Sequence, residues 1–357
     1  LLSFFLNKIA YGCLVMLGVI SAVFFLFNVL PGDPSRMMLD QREDSEQLAN
    51  IKKKYGFDKS VGAQYFHYLN DISPVSWHSD DKEDFSHLKR FPEGAQELFA
   101  LGEGQLVIKQ PYLRESFRYQ GKSVGSLIGE TFPNTAVLAT AAMTLALILG
   151  IGLGIVAALN KGGLFDRLAT VFGTLGMSLP SFFSAILMAW LFGFILSDYT
   201  GLNMTGSLYE VDDFGEGVYI KWSNLILPAI TLGIRPLAVI IQLTRSSLLE
   251  EMGQDYIRTA RAKGLKGRAV IAKHALRNAM NPVITAASGW FASMLAGAVF
   301  VEYIFGWNGL GKQIVESLNQ LDLPVVMGAV LLIALTFVLV TIVVDLLYAW
   351  IDPRIRN

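Results

Sequence analysis

Charged residues fall in clusters along the chain, and long uncharged runs lie between them. Residues 9–32, 131–160, 168–197, 278–301 and 323–344 contain no Asp, Glu, Lys or Arg. A sixth run, 222–244, is interrupted only by Arg235. A helix needs about 20 mostly apolar residues to cross the hydrocarbon core of a bilayer, so every run is long enough. The pattern predicts an all-α polytopic membrane protein with six transmembrane helices. The first run follows Lys8 and resembles a signal peptide in position. It exceeds the roughly 7–15-residue apolar core of such a segment and has no small-x-small site before Pro31, so it is read as a retained span.

The predicted organisation is a first helix over 1–32, an outside segment over 33–130, a five-helix core over 131–350 and a tail over 351–357. An amphipathic stretch at 45–55 and a turn-rich charged patch at 73–104 suit the outside segment to a small cap rather than an independent domain with a large core. Charge bias sets the orientation. The segment 245–277 carries eight basic residues against three acidic ones, and the link 161–167 carries Lys161 and Arg167. The loop 199–221 holds four acids and one Lys. Basic connectors stay in the cytoplasm, so both termini are expected there, as an even number of spans requires.

Composition agrees with a membrane protein. The chain is 53% hydrophobic and 17% charged, where a soluble domain carries about 25% charged residues. Mean hydropathy is +0.45. A net charge of −1 implies no nucleic-acid partner. The single cysteine, Cys13, excludes an intrachain disulfide framework or a cysteine zinc cluster and reads as a small buried apolar residue. His67, His78 and His87 all lie in the outside segment at spacings that share no helical face, and read as solvated loop residues rather than ligands.

The most informative segment is the cytoplasmic one, 245–281. It reads as helix, turn, helix, with Gly264 and Gly267 flanking the turn. Ala260, Ala262 and Gly264 are small, so another surface could approach this backbone, and Arg258, Arg261 and Lys263 around them suit an acidic rim on a partner. The plainer reading is an ordinary basic loop. Arg235, followed by Pro236, is the only charge inside a predicted span, and an intramembrane charge is a functional candidate. It either lines a pathway and meets a polar or anionic substrate group, or pairs with a carboxylate or carbonyl of a neighbouring span. Pro180, Pro228 and the alternating Gly150, Gly152 and Gly154 read as packing features of membrane helices. Gly306-x4-Gly311-Lys312 mimics a phosphate-binding loop, but Gln313 supplies no hydroxyl for Mg²⁺ and no buried strand precedes it, so nucleotide binding is declined.

The order of residues in the cytoplasmic segment resembles a known family. The string running from Asp255 and Tyr256 through Arg258, Thr259, Ala260, Arg261, Ala262 and Lys263 to Gly264 and Leu265, followed by His274 and Pro282, is similar to the cytoplasmic loop of ABC-importer permeases. The nearest branch is the dipeptide/oligopeptide/nickel permeases. Arg258, Thr259 and Ala260 stand at the Glu-Ala-Ala positions of the general importer pattern and Gly264 at its Gly, while its Ile-x-Leu-Pro ending is unmatched. Leu30-Pro-Gly-Asp-Pro34, the stretch from Glu302 to Gly311, residues 47–69 and 123–139, and the C-terminus from Asp345 to Arg356 also resemble that family. Residues 72–120 do not, and read as an insertion that enlarges the outside loop between helices 1 and 2.

The resemblance implies a type I ABC-importer-like permease fold in the bacterial inner membrane. It implies that Asp255 to Leu265, with His274 in the surface or its support, form a helix that docks on an ATPase subunit. It implies as partners a second, homologous permease, two ATPase subunits and an extracytoplasmic substrate-binding protein. The chain itself would be no enzyme and hold no cofactor, with ATP and Mg bound by the ATPases. The expected cargo is di- or oligopeptide, with nickel or another small solute as the alternative within the family. A stand-alone secondary transporter is a further alternative, but no Asp or Glu lies in the core of a predicted span and no inverted repeat is evident. A membrane enzyme lacks support, since neither His-Glu-x-x-His nor Gly-x-Ser-x-Gly occurs.

Overall fold

The computed structural model of the chain describes residues 2–29, 52–53, 56–81, 84, 86–87, 95–100, 102–119, 121–212, 215 and 217–351. The motif at 30–34, most of the stretch 45–55 and the tail beyond 351 lie outside them. Helices dominate. Long apolar runs form α1 (Leu2–Val29), α3 (Val124–Leu159), α7 (Ser223–Met252) and α13 (Leu323–Ile351). Between α1 and α3 come α2 (Val61–Ile72), β1 (Val75–Ser79), β2 (Gln96–Ala100) and β3 (Gly104–Ile108). After α3 follow α4 (Leu164–Ser178), α5 (Ser181–Trp190) with a π-helical turn at Leu191–Ile195, α6 (Ser197–Thr200), β4 (Tyr209–Val211) and β5 (Val218–Ile220). The segment after α7 holds α8 (Asp255–Ala262), α9 (Gly267–Ala269), a π-helical turn at Val270–Ala275, α10 (Leu276–Gly297), α11 (Val299–Phe305) and α12 (Leu310–Asn319).

The expectation of an all-α chain is corrected by the strands. Between α1 and α3, strands β1, β3 and β2 pair in that order as an antiparallel sheet, with Val75 opposite Ile108 and Ser79 opposite Gly104. The alternation of Val75-Ser-Trp-His-Ser79 suits a strand with one covered face. His78, expected to be solvated, is buried. Its Nδ1 donates to the Ser86 carbonyl at 2.7 Å, which leaves Nε2 to accept from the Ser76 hydroxyl at 2.9 Å. Burial holds its pKa below the ordinary 6.5, against the opposing pull of the Ser86 hydrogen bond. The second sheet is the β4–β5 hairpin, where Glu210 meets Lys221 at 2.9 Å and accepts from Asn224 Nδ2 at 2.6 Å.

Two compact units make up the chain, one from Leu1–Glu130 with Ile314–Leu335, the other from Thr131–Gln313 with Thr336–Asn357. In the first, Phe24 of α1, Tyr68 of α2 and Leu331 of α13 form a small apolar core. Asp71 at the end of α2 receives Arg114 Nε at 3.0 Å, and Arg114 lies over the Tyr68 ring. Asp322 accepts from the Ser116 hydroxyl and the Phe117 amide. Cys13 is exposed on α1 rather than buried.

The second unit packs α7 against α3, α4 and α10 around Leu138, Ala142, Ile240, Ile241, Val283 and Trp307. Gly150 and Gly154 make this possible. A Cβ on either would lie 2.6 Å from Ile240 or Thr244 of α7, while Gly152 faces open space. Small residues four apart let two helices approach closely. Helix α7 runs through Pro228 and Pro236 without a break.

The run at 168–197, expected as one span, is two helices. Leu179 is extended (φ −77°, ψ 130°) because the ring of Pro180 excludes the helical region for the residue before it. The pair α4 and Ser181–Ile195 bends by 108° there. A 54° bend likewise separates Gly267–Leu295 from α11. Among the described residues four helices are long and apolar enough to cross a membrane, and up to six if each bent pair is one span.

Candidate functional site

The segment 245–281 folds as its pattern suggests. Helix α8 turns Ile257 and Ala260, three residues apart, onto Leu248, Val270, Ala275, Ala279 and Ala158. Its C-terminus closes in a Schellman turn. Gly264 (φ +78°) takes the left-handed position, its N–H donates to the Arg261 carbonyl at 2.9 Å, and the Leu265 N–H donates to the Ala260 carbonyl at 3.3 Å. The importer-pattern glycine is therefore a backbone requirement of the turn; no neighbour would obstruct a Cβ there.

The remaining positions face outward. Asp255, Tyr256, Arg258, Thr259, Arg261, Ala262, Lys263, Gly264 and Leu265 are all exposed, and His274 is half-buried in the π-helical turn. Ala260 departs from expectation, since it is 7% exposed and its methyl packs inward. The open apolar spots are Ala262 and Leu265. Asp255 and Arg258 pair at 3.3 Å in full solvent, an interaction of little energetic value. Tyr256 ties the segment together. Its hydroxyl donates to Glu251 at the end of α7 and accepts from Asn278 Nδ2 of α10 at 3.0 Å. The structure thus presents a short, rigidly seated helix whose free face is basic and apolar.

Arg235 lies on α7, exposed, with its guanidinium carbon 5.7 Å from the centre of the Trp290 ring of α10. Among the described residues no carboxylate pairs with it. A different ion pair was not legible in the sequence. Arg245 of α7 grips Asp166 of α4 through both Nε and Nη2, the latter at 2.9 Å, and the Gly162 N–H reaches the same carboxylate at 2.8 Å. Both residues stood among the loop charges that set orientation. Only the fold brings them together.

A second missed residue is Glu302. It is fully buried on α11, and its carboxylate accepts from Thr135 Oγ1 at 2.7 Å, from the Gly311 N–H at 2.6 Å and from the Lys312 N–H at 3.2 Å. Thr135 in turn accepts from the Leu310 N–H at 2.8 Å. A Cβ on Gly309 would lie 2.4 Å from this carboxylate, and one on Gly311 2.5 Å from Val299 Cα. The phosphate-loop mimic is thus a real anion cradle at the start of α12, filled by the chain's own glutamate. Trp307 seals it, donating through Nε1 to the Asn134 carbonyl at 3.0 Å.

The chain is similar to known transport proteins along its whole length. The profile described as binding-protein-dependent transport system inner membrane component matches residues 150–357, and the N-terminal profile of the same membrane components matches 1–80. The dipeptide transport system permease protein DppB of Escherichia coli K12 is 35% identical over 374 aligned residues, covering 100% of this chain and 99% of that one. The di/tripeptide transport system permease DppB of Pseudomonas aeruginosa is 33% identical, with the same coverage. The glutathione transport system permease GsiC of Salmonella typhimurium is 31% identical over 357 residues, again covering 100% and 99%. The chain belongs to the family of binding-protein-dependent transport system inner membrane components, and is a permease subunit of an ABC importer whose ATPase is a separate subunit.

Proposed function

We propose that this permease imports dipeptides. The observation that carries the reading is full-length similarity to dipeptide and di/tripeptide permeases at 33–35% identity. In this reading the chain supplies half of a translocation pathway in a type I permease fold, with six spans counted by taking each bent helix pair as one. Both termini face the cytoplasm, as the basic connectors favour. A second, homologous permease supplies the other half. Two ATPase subunits bind ATP and Mg, and an extracytoplasmic binding protein delivers the cargo. The docking helix is α8. Ala262, Lys263 and Leu265 enter a cleft of the ATPase, Arg258 and Arg261 meet its acidic rim, and His274 supports the seat. Arg235 lines the pathway and receives the carboxylate terminus of the peptide.

The test is ATP-driven uptake by the assembled transporter in proteoliposomes, with labelled dialanine, glutathione and Ni²⁺ offered in turn. Dialanine uptake is the expected result. Uptake of Ni²⁺ without peptide would overturn the reading. Glutathione is a second reading, favoured by the 31% identity to GsiC over the full chain. Arg235→Gln separates the pathway role. It should weaken uptake of free dipeptide more than that of a C-terminally amidated analogue, and equal effects on both would remove Arg235 from carboxylate recognition.

A further inference from the structure

Helices α4 and α7 meet along one seam in antiparallel register. From one end of the seam to the other, Asp166, Gly173 and Gly176 of α4 face Arg245, Gln242 and Ala238 of α7. The intervals within each set place its members on one helix face. A Cβ on Gly173 would lie 2.5 Å from Gln242 Nε2, and one on Gly176 3.1 Å from Ala238 Cβ. Small residues let the helices lie side by side there. The Asp166–Arg245 pair closes the seam at one end, with the Asp166 side chain 6% exposed. Among the described residues it is the one place where side chains hydrogen-bond between α4 and α7.

That end of the seam adjoins the seat of α8. Arg245 stands one turn before Leu248, which is fully buried against Ile257 and Ala260 of α8. The seat draws its residues from the ends of α3 and α7 and from the segment leading into α10, and none from α4. Along the chain, α4 is joined to α3 only by residues 160–163. There Gly162 is left-handed (φ +80°), and Gly163 gives α4 no side-chain cap. Two successive glycines make a pliant connection. The Arg245 fork is firmer, because two parallel charge-assisted bonds fix direction as well as distance. The Gly162 N–H binds the same carboxylate at 2.8 Å, so the link is tied to the pair too. At its other end α4 stops at Leu179-Pro180, where the axis turns by 108° into α5. Helix α5 buries Ala185 and Ala189 against Leu227, Val301 and Phe305.

We propose that Asp166 and Arg245 are positioning residues of the transport cycle, the joint that carries movement of the α8 seat into α4 and on to the bend at Leu179-Pro180. The inference rests on the reading of α8 as the ATPase-docking helix and extends it to where the movement goes. Neither residue touches cargo or nucleotide. The pair acts through the helix it holds, since a satisfied buried charge pair keeps one geometry while the parts around it shift.

The experiment uses the complete transporter in proteoliposomes and reads ATP hydrolysis and dialanine uptake in the same vesicles. Glutathione takes the place of dialanine if the parent carries only that. Removing one charge would strand the other in a buried place, so the main variant is the neutral double Asp166→Asn/Arg245→Gln. Its basal ATP hydrolysis should stay within about twofold of the parent's, while uptake per ATP should fall at least ~10-fold. Arg245→Lys keeps the charge and loses the fork, and should fall between the two. A pair that only holds the fold would make hydrolysis, uptake and the yield of assembled complex decline together, and that result would overturn the proposal. So would an unchanged ratio of uptake to ATP. If the double variant does not assemble, the ratio for Arg245→Lys decides in the same way. A covalent joint should replace the ionic one. In a chain with Cys13→Ser, Asp166→Cys and Arg245→Cys, bridging the two thiols with a short bifunctional methanethiosulfonate should raise uptake per ATP at least about fivefold over the unbridged form. The docking reading fails separately, by retention of the ATPases in Ala262→Glu/Leu265→Glu, and the ratios above still tell whether α4 moves with hydrolysis.

Discussion

The segment around α8 and the Glu302 loop are built alike and behave oppositely. Both run helix, glycine turn, helix, and both bring charge to a helix end. In the loop after α11 the charge points in, and each carboxylate oxygen meets a donor under a sealed tryptophan. In the segment around α8 the apolar residues point in and the charges point out, paired only loosely with one another. A satisfied buried charge fixes one geometry, because removing any member strands the others in low dielectric. An exposed basic face fixes nothing within the chain and keeps its interaction energy for a partner. One loop holds shape, and the other offers contact.

The sharpest way to break this comparison is to empty the inner cradle. Glu302→Ala strands the donors of Gly311, Lys312 and Thr135, at a cost of about 1–3 kcal/mol for each buried group. The melting temperature of the detergent-solubilised protein should fall sharply, and Glu302→Gln, which keeps one acceptor, should fall less. An unchanged melting temperature for Glu302→Ala would make the cradle incidental. On the outer loop the contrast lies between a carboxylate placed on the inward face and carboxylates placed on the outward one. Ala260→Glu buries a charge against Leu248 and Val270 and should lower the yield of folded chain. Ala262→Glu with Leu265→Glu should leave folding within about 0.5 kcal/mol, as surface changes do, yet release the ATPases on co-purification. ATPases retained by that double variant would move the docking surface elsewhere.

Smaller effects sharpen the picture. Gly264→Ala forces a side chain into the left-handed turn at a cost of about 1 kcal/mol, so hydrogen exchange at 260–265 should quicken without loss of the helix core. The sheet of β1, β3 and β2 should respond to acid through His78. Its folded pKa lies below 6.5, so the unfolded form takes up the proton first as pH falls. Stability is full above 6.5. Each pH unit below that value costs up to about 1.4 kcal/mol until the folded pKa is reached. Amide exchange in β1 should therefore accelerate beyond its intrinsic rate at pH 5.5 compared with 7.5, and the increase should vanish in His78→Gln.

Much of this was legible from residue order. Uncharged length placed α1, α3, α7 and α13, and Gly264 marked its turn because left-handed backbone leaves few other choices. Length also misled. The run at 168–197 shows no charge, yet Leu179-Pro180 carries the stop signal in its stereochemistry, which a count of apolar residues ignores. Strands β1, β2 and β3 are five residues each, too short for alternation to outweigh the turns around them. Glu302 was visible at the edge of its run, and Gly306-x4-Gly311-Lys312 had the outline of a phosphate-binding loop although nucleotide binding was declined there. What the pattern could not say was that the anion belonged to the same chain. The Asp166–Arg245 pair spans 79 positions and has no local trace.

Helix α7 has a mechanical consequence. It is 30 residues long and unbroken, a rod of about 45 Å. The seat of α8 is fixed to one end by Tyr256, and near that end Gly150 and Gly154 of α3 leave no clearance for sliding. Leu227 near its other end and Ile240 and Ile241 further along are buried as well, so the rod is gripped along its length, and a displacement at the seat passes to the far end as a movement of the packed helices together, with no part of α7 having to unwind.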